Sequence, residues 1–241
     1  MKEKRTKEHS TNKRNTVAVV ALLLVCVLAI GGTIAYLTSH SQLTNTFTVG
    51  QISPIDPNKP GPGPDKPINP EDPELEQKLN GNLYEPSWTP GSKLLPTASI
   101  DKDPYVGVGA GSEECDVFVY VNNTMNHGDN IYFTINEGWR PVGGTKPFKG
   151  QKYTGGLFKY EAGLNGTTAT EGNNVWTKTP LFSTVEVSKD AKAENFKVVG
   201  KDEIGTIRVQ SFLHQSFDSN GKEISNADIL AAAKEQFGLN K

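Results

Sequence analysis

The 241-residue chain is poor in the residues that make metal and nucleophile chemistry: it has two cysteines, two methionines and four histidines. Cys26 lies in an apolar run and Cys115 stands alone beyond it, so loss of that run leaves no partner for an intramolecular disulfide. His9 and His40 fall in the N-terminal segment, which leaves only His127 and His214 for the rest. No H-E-x-x-H pair and no G-x-S-x-G elbow occurs, which argues against zinc hydrolysis and against a serine hydrolase. Gly107, Gly109 and Gly111 precede a strand pattern rather than a helix, and no Gly-Lys-Ser/Thr follows. A turn or bulge is therefore expected there, not a phosphate loop. A strong charge of one sign is missing too. Six of the 25 basic and two of the 27 acidic residues lie in the first 14 positions, so the remainder carries −6. A mildly acidic domain repels phosphate backbones, and a nucleic-acid partner is not expected.

What is present begins at the N-terminus. Residues 2–14 are basic, residues 17–30 are continuously apolar, and Thr33 and Ala35 place small residues at −3 and −1. This order is that of a secretory signal cut between Ala35 and Tyr36. Residues 16–37 are also long enough to remain as an uncut membrane anchor. The positive end stays in the cytoplasm and the domain lies outside in both cases. Membrane contact is thus expected through the N-terminal segment, with signal peptidase as a partner during export. After the cut, Thr44, Asn45, Thr46, Phe47, Thr48 and Val49 read as a short strand suited to donation.

Gly32 to Thr38 followed by Thr44 to Gly50 resembles the bipartite signature of Gram-positive proteins exported through a SipW-type signal peptidase, a group that includes the TasA/camelysin-like matrix proteins. Asp101 to Val106, Gly111 to Cys115 and Phe118 to Val121, with residues 179–187 and 205–217, are similar to a subgroup of these proteins in clostridia-like bacteria. The resemblance implies export to the cell surface or matrix and a β fold. Camelysin-type proteins have been described as metalloproteases, but the motif for that chemistry is absent here.

Prolines 54, 57, 60, 62, 64, 67, 70 and 73 crowd a 20-residue tract. Proline fixes φ and lacks a donor, so the tract is expected to be a semi-rigid polyproline spacer reaching on the order of 60 Å. Beyond it, Cys115, Val117, Val119 and Val121 alternate with Phe118 and Tyr120. Ile131, Phe133 and Ile135 alternate likewise, and residues 181–187 and 204–213 read as further strands. Turn signals at residues 126–129, 165–166 and 218–221 divide them. One helix is expected near the end. Ser225 or Asn226 would cap it, Ile229, Leu230, Ala233 and Phe237 would form its stripe, and Gly238 would end it. The expected fold is all-β: an antiparallel, jelly-roll-like β-sandwich with one short C-terminal helix and an N-terminal hydrophobic signal helix. The expected boundaries are signal 1–35, mature strand 36–52, proline-rich linker 53–80 and sandwich domain 81–241.

Several side chains invite chemistry. Cys115 sits between Glu114 and Asp116, which disfavour a thiolate, and its alternation places it in the core. Asp101, Asp103, Glu113, Glu114 and Asp116, and the turn residues Asp218, Asn220 and Glu223, could offer oxygen ligands to calcium, or be solvated loops. Trp88, Trp139 and Trp176 could face a ligand, or plug the core. No catalytic residue, metal site or cofactor is assigned. The expected function is an exported, non-enzymatic surface or biofilm-type matrix protein, self-associating or binding a related exported protein, with fibres formed by donation of residues 44–49. The alternative is a membrane-tethered binding or adhesion module on a proline stalk; a camelysin-like metalloprotease is a second, weaker one.

Overall fold

The computed structural model describes residues 52–144 and 148–240. Ala35, Tyr36 and the residues of the expected donor strand, Thr44 to Val49, lie outside the described residues. In chain order the strands are β1 (Leu79–Asn80), β2 (Leu83–Tyr84), β3 (Ser99–Asp101), β4 (Tyr105–Val108), β5 (Cys115–Asn123) and β6 (Ile131–Thr134). Then follow β7 (Trp139–Pro141), β8 (Lys152–Tyr153), β9 (Gly156–Tyr160), β10 (Val175–Trp176), β11 (Thr184–Val187) and β12 (Ile207–Gln215). A one-turn helix, α1 (Leu75–Lys78), precedes β1, and α2 (Asn226–Gln236) ends the chain.

The strands form three antiparallel sheets of four: β12-β5-β9-β7, β3-β11-β6-β8 and β1-β2-β4-β10. The first is the backbone of the fold, with β12 and β5 in register from Ile207 opposite Asn123 to Gln215 opposite Cys115. Period-two alternation explains its two faces. Cys115, Val117, Val119 and Val121 turn into the main core with Val209 and Leu213. There they meet Ile131, Phe133, Val185 and Val187 of the second sheet and Leu83, Val106 and Val108 of the third. The fold is thus mostly β, as the alternation predicts.

On the other face of the first sheet, Phe118, Leu157 and Phe212 are covered by α2 through Ile229 and Ala233. The cap is Ser225, whose Oγ accepts from the Asp228 N–H at 3.1 Å. Gly238 stands just past the end at φ +66, where only glycine is unstrained. The C-terminal helix, its cap and its stripe therefore agree with the sequence expectation. The last strand does not start where alternation places it. Ile204 is 72% exposed and bridges to Lys197 in a separate short loop, and β12 begins only at Ile207. Leu181 and Phe182 are fully buried although they precede β11.

Candidate functional site: the junction of the proline tract and the domain

The described chain opens on a buried residue. Ile52 belongs to the main core. Ser53 is held by three bonds: its N–H donates to Ser112 Oγ at 2.9 Å, and its C=O accepts from the Gly109 N–H at 3.0 Å and from Asn82 Nδ2 at 3.2 Å. A Cβ at Gly109 would lie 2.5 Å from the Pro54 carbonyl oxygen, so the glycine is what admits this approach. Ser112 Oγ in turn donates to the Gly109 C=O at 2.7 Å, and Gly111 N–H donates to the Gly166 C=O at 2.9 Å. The glycine loop thus forms a bonded turn and serves as a dock for the incoming chain.

The proline tract continues along the domain instead of leaving it. Ile55 N–H donates to the Gly81 C=O at 3.2 Å. Asn174 bonds both backbone groups of Asp56, accepting from its N–H and donating to its C=O, each at 2.9 Å. Trp176 Nε1 donates to the Pro60 C=O at 3.1 Å, and Tyr84 Oη donates to the Pro67 C=O at 2.8 Å. Lys66 reaches Ser87 Oγ and lies 3.3 Å from Asp103. Ile55, Ile68 and Tyr84 form a small core, with Leu75, Leu79 and Trp176 packed against it. The tract and the sheets belong to one compact unit.

The semi-rigid, extended polyproline spacer expected of the tract is therefore corrected: the tract folds onto the domain. The physical reason is turn chemistry. Lys59 N–H bonds to Asp56 C=O, Lys66 to Gly63, Asp72 to Asn69 and Leu75 to Asp72. Each four-residue turn has its proline second: Pro57, Pro64, Pro70 and Pro73. There the fixed φ suits a β-turn. Asp56, Asn69 and Asp72 side chains close three of these turns further by accepting from the N–H two residues on. The signal was present as Asp-Pro, Asn-Pro and Gly-Pro steps, but proline density obscured it.

A second ion pair involves Lys102, the chain neighbour of Asp103. Glu85 and Lys102 are buried and pair at 2.6 Å, and the Lys102 ammonium sits 4.6 Å from the centre of the Trp88 ring. Burial pushes the Glu85 carboxyl above the usual carboxylate range against the pull of Lys102. Asp103 accepts from the Ser87 N–H at 2.8 Å.

The other candidate residues are dispersed. Cys115 is fully buried, and burial first, then the Asp116 charge, pushes its thiol up to about 12. Its folded value lies above the unfolded one, so this contribution to stability is complete below about 9 and is lost as pH rises toward 12. The native, processed chain is expected to resist a thiol reagent at pH 8 and to label once per chain on unfolding. Prompt native labelling would contradict the burial.

Asp103 and Asp116 are each engaged by a lysine, Asp103 by Lys66 and Asp116 by Lys159 at 2.5 Å. Asp218 instead accepts from the N–H groups of Asn220 at 2.8 Å and Lys222 at 2.9 Å, bonds that hold its carboxyl below the usual range. Among the described residues no three His, Cys, Asp or Glu side chains gather in a way that could hold a metal ion. His127 and His214 each have Nδ1 beside a neighbouring backbone carbonyl, that of Gly128 and of Gln215. Trp139 is buried and donates to the Thr179 C=O at 3.1 Å, while Trp88 and Trp176 are half-buried.

No family model matches this chain, and neither a curated protein nor a solved structure matches it.

Proposed function

We propose that this chain is an exported, non-enzymatic structural protein of a cell surface or extracellular matrix, which self-associates through residues 44–49 acting as a donated strand. The reading includes a signal helix cut after Ala35 and a jelly-roll-like sandwich for the sheets. The observation that supports it most is the root of the N-terminal segment. Ile52 and Ser53 are fixed on the domain, so Val49 stands four residues from a bonded anchor. At ~3.3 Å per residue, Thr44 lies within roughly 30 Å of Ser53. The chain between residue 44 and that anchor is thus short enough to confine donation to the domain's own sheets or an abutting copy.

β12 has the form of an acceptor: it is nine residues long and, among the described residues, stands at the end of its sheet. Thr124 N–H bonds to Thr206 C=O and Ser216 N–H to Glu114 C=O. By the antiparallel alternation, Val209 and Leu213 turn their backbone groups away from β5. A sheet end of this kind favours pairing with an added strand.

Deletion of residues 38–49 is expected to leave export intact and to abolish polymer seen by electron microscopy of the processed protein. N-terminal sequencing of the same sample should begin at Tyr36. Undiminished polymer in the deletion would overturn the donor role.

A further inference from the structure

Beyond that reading, the face that holds the proline tract has the chemistry of a peptide site. Tyr84 and Trp176 stand with ring centres 5.9 Å apart and supply apolar surface to Ile55 and Ile68. Each also donates its one polar hydrogen to a proline carbonyl, Pro67 and Pro60 respectively. Proline-rich segments offer carbonyls with few competing N–H groups and lose little entropy on docking. Aromatic faces with a donor at the rim are what recognise them. Asn174 adds a two-point grip on the backbone of Asp56, which reads main chain rather than side chain. Asp103 adds a carboxylate for Lys66.

We infer that Tyr84, Asn174, Trp176 and Asp103 form a binding site for a turn-forming, proline-rich peptide, filled in cis by residues 54–68, and that it exchanges this tract with a second copy of the chain. The second copy is the fitting occupant because its tract is the same sequence and re-forms every contact. The hinge is also at hand. Residues 69–74 are the two proline turns that follow the tract, and α1 beyond them buries no residue. Redirecting the chain there costs the Asp72–Lys78 and Glu74–Lys78 ion pairs but no fully buried side chain of α1. Ile52 and Ser53 travel with the tract and enter the partner's core and glycine loop in the same way. A tethered segment has an effective concentration of about millimolar, so exchange is expected at comparable protein concentration, as in a crowded surface layer.

The test uses the processed full chain with Asp56→Cys and Asn174→Cys, positions in direct contact, while Cys115 is buried. Oxidation of dilute protein is expected to give a linked monomer. Oxidation after prolonged incubation at millimolar concentration is expected to give linked dimers and higher species. Linked monomer alone under both conditions overturns the exchange.

A fluorescent peptide of residues 52–70 tests the site itself. Capture by the processed chain is expected at roughly millimolar peptide, where it competes with the tethered tract, and a peptide carrying Lys66→Ala is expected to need about threefold more, because only the incoming peptide then lacks the contact with Asp103. No capture, or equal capture of the altered peptide, overturns the site. Neither measurement involves residues 44–49, so its failure is separate from failure of strand donation.

Discussion

Lys102→Met is expected to lower the unfolding free energy by about 3–5 kcal/mol, the effect of stranding a buried carboxylate. Glu85 and Lys102 are both buried, their contact is 2.6 Å, and the second Glu85 oxygen has no hydrogen-bond partner among the described residues. Removing the ammonium leaves no compensation at either oxygen. The doubly apolar Glu85→Leu/Lys102→Met protein is expected to be closer to the parent than Lys102→Met alone, because a buried ion pair and an apolar pair of similar volume are of comparable stability. Urea unfolding of the three variants decides this, and additive losses would contradict it.

The acid dependence has a definite sign. Burial raises the folded Glu85 carboxyl above its ordinary 4.5, so the folded state holds the proton more tightly. Its contribution to stability is greatest below 4.5 and falls as pH rises through the folded value. Without Lys102 the folded value rises further. The deficit of Lys102→Met relative to the parent is therefore expected to shrink on going from pH 7 toward pH 4.5. A deficit independent of pH would show that the loss comes from packing against Trp88 instead.

Phe133→Ala is expected to cost about 3–5 kcal/mol, with Phe133→Leu costing clearly less. Phe133 is 1% exposed, and its ring lies 4.3 Å from Phe182, 5.7 Å from Phe158 and 6.2 Å from Tyr153. Phe158 belongs to the first sheet and Phe133 to the second, so the missing ring opens the contact between two sheets at once. The measurement is the urea midpoint at unchanged m-value. A loss below about 1 kcal/mol would mean that Phe182 and Tyr153 collapse into the space.

Much of the domain was legible because its signals are local. The alternation of Cys115, Val117, Val119 and Val121 needs only a period of two, and these four side chains are all in the core. The capping serine, the apolar stripe and the terminal glycine of the last helix lie within 14 residues. Ile204 misled the same reasoning, because an apolar residue in phase with a strand need not be in it. The junction was harder to read. Nothing local in Asn82, Asn174 or Trp176 shows that each will bond to residues 53–60. Those partners are 29 to 118 positions apart, and only folding brings them together.

The sequence by itself determined an alternating β architecture, a capped final helix and a core position for Cys115, since each depends on residue type and short spacing. The tertiary structure decided what the proline tract is. Eight prolines restrict φ wherever they stand, but whether restricted segments extend or turn back depends on what receives them. Here Gly109 leaves room for Ser53, and Tyr84 and Trp176 present donors to proline carbonyls, so the tract folds onto the domain and roots the N-terminal segment there.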